Sequence, residues 1–123
     1  LKTLKNPTII NLIAHGCKSL KTYNGISDTN IKNLYANNSE VKELSALANS
    51  TVEKIEMRDS EIISIKGISS CPSRDVDFRG SKKLRDIADL ENAPIEYLWL
   101  GGTTPKGPEV IKKMRNLKFS DWK

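Results

Sequence analysis

The side-chain pattern of this chain repeats every 21 or 22 residues, which constrains its architecture more than any single residue does. An apolar column recurs with steps of 22, 21, 21 and 22 residues at Leu12, Leu34, Ile55, Val76 and Leu98. Two further columns keep this register: Ala14, Ala36, Met57, Phe78 and Leu100, and then Cys17, Ser39, Ser60, Ser81 and Thr103. Such a period is typical of a solenoid, whose units bury their apolar sides by stacking on their neighbours. The 123 residues therefore predict one domain of about five or six units.

Each unit consists of a short strand and a return segment. Residues 34–36 alternate between apolar and variable side chains, as a half-buried strand does. Apolar residues spaced by three then predict a turn or 3-10-like return at Val41, Leu44 and Leu47, with equivalents at Ile62, Ile65 and Ile68 and at Leu84, Ile87 and Leu90. Strands joined by a return of this length must run parallel, because a hairpin connection is much shorter. The pattern therefore predicts an α/β repeat solenoid with one parallel sheet, and the short hydroxyls of the third column can hydrogen-bond backbone groups buried where each strand ends.

The unit pattern resembles the leucine-rich repeat family, whose consensus is L-x-x-L-x-L-x-x-N/C followed by further apolar positions. Residues 9–17 (IINLIAHGC) are one match, and residues 84–90 (LRDIADL) are similar to the 22-residue subclass found in bacterial internalins and in a phosphatase-regulating repeat protein. The resemblance implies five to six short parallel strands on a concave face, 3-10 or turn returns, and a role in binding another protein. The chain departs from the family in having Ser or Thr where Asn is commonest and Ser73 at the first strand leucine, so a looser fourth unit is expected.

The two ends of the array are irregular, as the ends of repeat arrays tend to be. Residues 1–8 match only the second half of a unit, so a cap or further repeats are expected before Leu1. Residues 9–103 contain the regular repeats, and residues 104–123 predict a C-terminal cap. In that cap a short helix begins at Pro108-Glu109 with the apolar stripe Val110, Met114 and Leu117, a terminal strand follows, and Phe119 and Trp122 are expected to close the core.

The net charge of +5 is concentrated at the two ends of the chain. Residues 1–27 carry four basic and no acidic side chains, residues 28–103 carry ten basic and thirteen acidic ones, and residues 104–123 carry six basic and two acidic ones. A nucleic-acid binder usually gathers its basic residues on one face, so this distribution argues against nucleic acid as the partner. No apolar run approaches the ~18 residues of a membrane span, and no membrane insertion is expected.

The two cysteines occupy different positions of their units, which argues against a disulfide between Cys17 and Cys71. Cys17 is expected to be a small buried thiol in the turn rather than a reactive one. Unpaired thiols favour a reducing compartment such as the cytoplasm, and no signal peptide is visible. Secretion or delivery into a host remains open at this point.

Function must come from the variable strand residues, which would line the concave face, because the inward positions are consumed by packing. The middle column comprises Ile13, Tyr35, Glu56, Asp77, Trp99 and Lys118, and it is flanked by Asn11, Asn33, Lys54, Asp75, Tyr97 and Asn116. A third column comprises His15, Asn37, Arg58, Arg79, Gly101 and Ser120. Tyr, Trp and Arg are enriched at interface hot spots. We therefore expect the partner to contact Tyr35, Asn37, Glu56, Arg58, Asp77, Arg79, Tyr97 and Trp99.

Two interpretations of the charged positions stay open from the sequence alone. Glu56, Arg58, Asp77 and Arg79 form either a contact surface or a solvated ladder of mutually compensating charges. The aromatic positions favour function, because nothing in the fold requires large rings to face water.

The sequence argues against catalysis, metal binding and a cofactor. His15, the single histidine, has no nucleophile or carboxylate partner in its own or the adjacent unit, so no catalytic residue is expected. His15 and Cys17 supply only two zinc ligands. Asp75 and Asp77 share a strand face, but neighbouring Arg74 and Arg79 suggest ion pairing instead of a cation site. The pair at 101–102 is a turn rather than a phosphate loop, because no Lys-Ser/Thr follows it.

The leading hypothesis is an interaction module that binds a protein or peptide across the concave sheet, with no small-molecule substrate. One alternative is a structural fragment or cap of a longer repeat protein of bacterial surface or effector type. The other is an electrostatic binder of RNA or an anionic surface, which would use the two basic ends and weaken steeply with salt.

Overall fold

The computed structural model of the chain describes residues 8–16, 30–44, 47 and 50–122. In this part of the chain six strands form a single sheet, in which every neighbouring pair is parallel and the spatial order is the order in sequence. The prediction of five to six short parallel strands is confirmed. The strands are β1 (Thr8–Ile13), β2 (Asn30–Tyr35), β3 (Lys54–Glu56), β4 (Asp75–Asp77), β5 (Tyr97–Trp99) and β6 (Phe119–Ser120).

The register of the sheet follows the sequence period. Leu12 pairs with Leu34, Leu34 with Ile55, Ile55 with Val76 and Val76 with Leu98, so the apolar column identified from the sequence runs straight across the first five strands. From Leu34 onward this column is fully buried. The neighbouring positions on each strand point to the other face, since side chains alternate along a strand.

The core is built from the apolar columns of the strands and of the return segments. The expected inward residues of the returns are all buried: Val41, Leu44, Leu47, Ile62, Ile65, Ile68, Leu84, Ile87 and Leu90. Three of the returns contain short 3-10 helices, as the spacing of three predicts. They are η1 (Ile68–Ser70), η2 (Ala88–Asn92) and η3 (Pro108–Lys113).

A second parallel ladder, which the sequence did not reveal, joins the returns. It consists of single bridges between Glu43 and Ser64, Ser64 and Asp86, and Asp86 and Lys106. The Ser64 hydroxyl also donates to the Asp86 carboxylate at 2.8 Å. The returns are therefore tied to one another by backbone pairing as well as by apolar packing.

The turn after each of the first five strands contains a residue in the left-handed conformation. Positive φ angles between 53° and 78° occur at Gly16, Asn38, Asp59, Gly80 and Gly102, which again follow the sequence period. Gly, Asn and Asp are the residues that adopt this conformation at least cost. The turn at the end of each of these five strands therefore depends on a side chain that is absent or small and polar.

The hydroxyl column lies buried beside these turns, as expected. Ser81 Oγ donates to the Met57 carbonyl at 3.0 Å and accepts from Ser60 N at 3.1 Å, and Thr103 Oγ1 donates to the Leu100 carbonyl at 2.6 Å. Ser39 Oγ is buried with no hydrogen-bond partner among the described residues. Cys17, which precedes it in this column, lies outside the described residues, as do Leu1, Leu4 and most of the expected partial repeat 1–8.

The fourth unit is not loosely packed at Ser73, contrary to the expectation from the sequence. Its side chain is fully buried, and its hydroxyl donates to the Val52 carbonyl at 2.7 Å. A hydrogen bond between units thus takes the place of the apolar contact that leucine would make.

The register predicted for the terminal strand of the C-terminal cap is wrong. The expected strand template placed Asn116 beside Tyr97 and Lys118 beside Trp99, but in the structure Phe119 pairs with Tyr97 and Ser120 with Leu98. The backbone amides of Lys118 and Phe119 both donate to the Glu96 carbonyl, which sets this register.

Phe119 consequently leaves the core and lies on the open side of the sheet with 45% of its surface exposed. Trp122 does pack partly buried against the core, as expected. The helix before β6 is the six-residue 3-10 helix η3, with Val110, Ile111 and Met114 buried and Leu117 partly buried.

Candidate functional site

We use the term open face for the side of the sheet opposite the buried strand column. Its middle column is Ile13, Tyr35, Glu56, Asp77 and Trp99, and its flanking column is Asn11, Asn33, Lys54, Asp75 and Tyr97, in direct register from strand to strand. Seven of the eight expected contact residues, all except Tyr97, are connected on this face by hydrogen bonds, ion pairs or ring contacts, with His15 linking Tyr35 to Asn37. Tyr97 lies beside this network, between its strand partners Asp75 and Phe119.

Asp77 lies at the centre of the open face and binds two arginines. Its Oδ2 accepts from Arg58 Nε at 2.7 Å and from Arg79 Nη2 at 2.7 Å, while its Oδ1 accepts from Arg79 Nε at 3.0 Å. Burial raises the pKa of Asp77, but the hydrogen bonds from Arg79 and Arg58 outweigh it and leave the pKa below its usual value. The same contact raises the pKa of Arg79. Asp77 is therefore the ionised anchor of the charge ladder.

Asn37 and Glu56 extend this ladder towards β1. Asn37 Nδ2 donates to Glu56 Oε2 at 3.0 Å, and Glu56 Oε1 lies 3.4 Å from Arg58 Nη2. Asn37 Oδ1 also accepts from the Arg58 backbone amide at 2.8 Å. The backbone N–H of Asn37 in turn donates to His15 Nδ1 at 3.0 Å. Asn37 therefore supports the turns between strands besides lying on the candidate surface.

Aromatic rings lie at both ends of the ladder. Towards β1, the Tyr35 ring makes an edge contact with His15 at 6.2 Å between centroids, and Lys54 Nζ lies 5.5 Å from the Tyr35 centroid. Towards β6, the Arg79 guanidinium lies 4.7 Å from the Trp99 centroid. The Trp99 and Phe119 centroids are 4.9 Å apart.

Phe119 is the contact candidate that the sequence reading missed. It is 45% exposed, its register neighbour Tyr97 is 40% exposed, and its ring packs against Trp99. We call Tyr97, Trp99 and Phe119 the aromatic patch. Phe119 lies 22 residues after Tyr97, so extending the repeat period by one unit would have predicted that these two residues are paired.

Of the residues considered for catalysis and metal binding, His15 and Asp77 have protein partners, whereas the Asp75 carboxylate has none among the described residues and Cys17 lies outside them. Asp77 is held by its two arginines, and Arg74 pairs with Glu96 at 3.8 Å rather than with Asp75. Cys71 is buried, its Sγ donates to the Leu47 carbonyl at 2.8 Å, and burial raises its thiol pKa. Within the described ranges no three His, Cys, Asp or Glu side chains are grouped closely enough to hold a metal ion.

Two cavities among the described residues lie on the side of the return segments, away from the open face. A cavity of about 450 Å³ between η2 and η3 is lined by a mixture of basic, acidic and apolar side chains that includes Arg85, Glu91, Lys106 and Val110. A smaller one of about 380 Å³ lies against Trp122 and η3.

Comparison with known proteins adds no assignment: no family model, no curated protein and no solved structure matches the chain. In the described part of the chain, no helix has the length and apolar character needed to cross a bilayer.

Proposed function

We propose that the chain is a leucine-rich repeat domain that binds a protein or peptide partner on the open face of its sheet, which would be the concave face. The repeat assignment is supported by the 21- and 22-residue register of the parallel strands and by the 3-10 helices in the returns. Binding is supported by one observation above all: two large rings, Tyr97 and Phe119, are 40% and 45% exposed on the same face of the sheet, beside a network of ion pairs. Ile13, at the β1 end of this face, is a further exposed apolar side chain at 65%. Exposed aromatic clusters rimmed by polar groups mark interaction sites.

A pull-down from cell lysate tests the proposal. The wild-type chain is compared with a triple variant that removes three rings of the open face, Tyr35→Ala, Tyr97→Ala and Trp99→Ala. A matched triple variant, Lys42→Ala, Ile63→Ala and Lys106→Ala, changes exposed residues of the returns instead. Circular dichroism first establishes that all three proteins are folded.

The proposal predicts that wild type and the return-side variant capture the same partner, and that the open-face variant loses at least about tenfold in capture. Equal capture by all three proteins would place the site elsewhere. Identification of the captured protein by mass spectrometry then names the biological role.

The alternative of an electrostatic RNA binder has less support in the charge pattern. Charges of alternating sign occupy equivalent positions of successive units, within β2 and immediately before β3 to β6, and backbone hydrogen bonds join each position to the next: Lys32, Glu53, Arg74, Glu96 and Lys118. Glu96 Oε1 lies 3.1 Å from Lys118 Nζ, and this contact raises the pKa of Lys118. A surface that follows phosphates would gather cations of one sign. The alternative of a spacer in a longer array predicts that no substitution on the open face changes the binding of any partner.

A further inference from the structure

The ion pairs of the open face are layered, with the carboxylates below and the guanidiniums above. The side chains of Asp77 and Glu56 are 7% and 18% exposed, whereas those of Arg58 and Arg79 are 44% and 38% exposed. Although these four charges cancel in number, a partner that approaches this part of the face meets mainly the two guanidiniums. We call Arg58 and Arg79 the arginine pair.

Asp77 holds the two guanidiniums of the arginine pair close together, and each guanidinium keeps N–H groups that do not bond to the protein. Arg58 Nε and Arg79 Nη2 lie within about 5.4 Å of each other, because each is 2.7 Å from the same Asp77 oxygen. A guanidinium carries five N–H donors. Among the described residues, the Nη1 group of neither arginine donates a hydrogen bond to the protein. Asp121 also attracts Arg79 electrostatically, but its two oxygens accept from the Leu100 and Gly101 amides.

An apolar surface adjoins the arginine pair. The Arg79 guanidinium covers the Trp99 ring at 4.7 Å, and Phe119 lies beyond Trp99 at 4.9 Å. A group bound to the outer edge of Arg79 would therefore stand within one side-chain length of the aromatic patch. The site combines two fixed guanidiniums with a flat apolar surface at its side.

We propose that the partner of the open face is an acidic peptide segment, in which an Asp or Glu carboxylate bridges Arg58 and Arg79 and a large apolar side chain packs on Trp99 and Phe119. This inference rests on the proposed function and narrows it. In an extended peptide, side chains two residues apart share a face and are separated by roughly 7 Å, which suits the step from the arginine pair to the aromatic patch. The expected motif is therefore an acidic and a large apolar residue separated by one position.

A single carboxylate fits this site better than a phosphate does. Glu56 and Asp77 neutralise the arginine pair in number, so a monoanion adds one charge to a balanced cluster, whereas a dianionic phosphate adds nearly two. The planar guanidinium forks can hold either anion in bidentate fashion, so the charge balance decides between the two. The neighbouring rings then supply apolar contact, which a nucleic-acid backbone does not use.

Selection from a phage-displayed library of random dodecapeptides tests the inference. The baits are folded wild type, an Arg58→Gln/Arg79→Gln variant, an Arg58→Lys/Arg79→Lys variant and an Arg115→Gln control, which removes an exposed arginine outside the site. The lysine variant keeps the charges that pair with Asp77, so it remains informative if the glutamine variant does not fold. Selected peptides are then synthesised, and their affinities are measured by fluorescence anisotropy.

We expect peptides selected on wild type and on the Arg115→Gln control to share the acidic–x–apolar motif. Replacing their acidic residue by Gln, or the arginine pair by Gln, should weaken binding at least about tenfold, and the lysine variant should fall between. Peptides that lack an acidic residue but lose binding in the Tyr35→Ala, Tyr97→Ala and Trp99→Ala variant would overturn this inference and leave the proposed function standing. Peptides insensitive to every open-face substitution, or no selection above background, would overturn both. Tighter binding of a phosphoserine version or of an oligouridine probe would also reject the carboxylate assignment.

Discussion

The Asp121 carboxylate accepts a hydrogen bond from the Leu100 backbone amide at 2.6 Å, in a position where earlier units use a strand carbonyl. The corresponding amides of Ala36, Met57 and Phe78 donate to the carbonyls of Glu56, Asp77 and Trp99 on the next strand. Asp121 Oδ2 also accepts from the Gly101 amide at 3.0 Å. One side chain thus ends the hydrogen-bond ladder on the β6 side.

Asp121→Ala is expected to destabilise the fold, because two backbone amides lose a charged acceptor. The expected loss in unfolding free energy is about 1–3 kcal/mol, measured by urea denaturation. Asp75→Ala is the matched control, because the Asp75 carboxylate makes no hydrogen bond or ion pair with the described residues. Equal stability of the two variants would show that water replaces the Asp121 cap without loss.

Asp77→Asn should destabilise the fold in a pH-dependent way. The native pKa of Asp77 lies below its ordinary value of 3.8, so the ionised carboxylate favours the folded state more than the unfolded one. Its contribution is fully present above pH 3.8 and is lost as the pH falls through the native pKa. Urea denaturation should therefore show a deficit of about 1–3 kcal/mol for Asp77→Asn near neutral pH and a shrinking deficit below pH 3.8. A deficit that stays constant with pH would contradict this assignment.

Gly80→Ala should cost more stability than Gly107→Ala. Both glycines have positive φ, +75° and +66°, so both substitutions impose a left-handed alanine at a cost of about 1–2 kcal/mol. A Cβ at Gly80 would in addition overlap the Asp59 carboxylate, whereas nothing lies within 4 Å of a Cβ at Gly107. The difference between the two unfolding free energies therefore measures the close packing of the β3 and β4 turns. Identical losses would mean that Asp59 rotates away freely.

Cys71 should react slowly with thiol reagents in the folded protein. Its thiol is 2% exposed and burial raises its pKa, so both access and thiolate content are reduced. In a Cys17→Ser background, modification by a disulfide reagent should be at least about tenfold slower than in urea. Fast modification under native conditions would show that the β4 unit opens locally.

Much of the fold follows from the sequence, because the apolar period determines which residues stack. Leu34, Ile55, Val76 and Leu98 align in the structure as the period predicts. The error at β6 arose where local pattern and period disagreed: the apolar triplet Met114, Leu117 and Phe119 resembled a strand, but backbone pairing with Glu96 placed Phe119 on the open face.

The residues of the candidate site, apart from Phe119, were predictable from the sequence, whereas the depth at which each side chain lies was not. Alternation along the strands shows that Glu56, Asp77, Arg58 and Arg79 share one face. It does not show that the two acids lie beneath the two arginines, because that depends on side-chain length and on which oxygen each guanidinium reaches. The greater exposure of the two guanidiniums is therefore visible only in the folded chain.

Because each strand pairs only with the strands next to it in sequence, β1 and β6 lie at opposite ends of the sheet. Tension applied between these two strands would load the hydrogen bonds of one strand pair at a time instead of the whole ladder at once. The chain would then lengthen by peeling, and each event would release a unit of 21 or 22 residues, or about 70 Å of extended backbone. The molecule would behave under load as a stepwise extensible element whose weakest unit yields first.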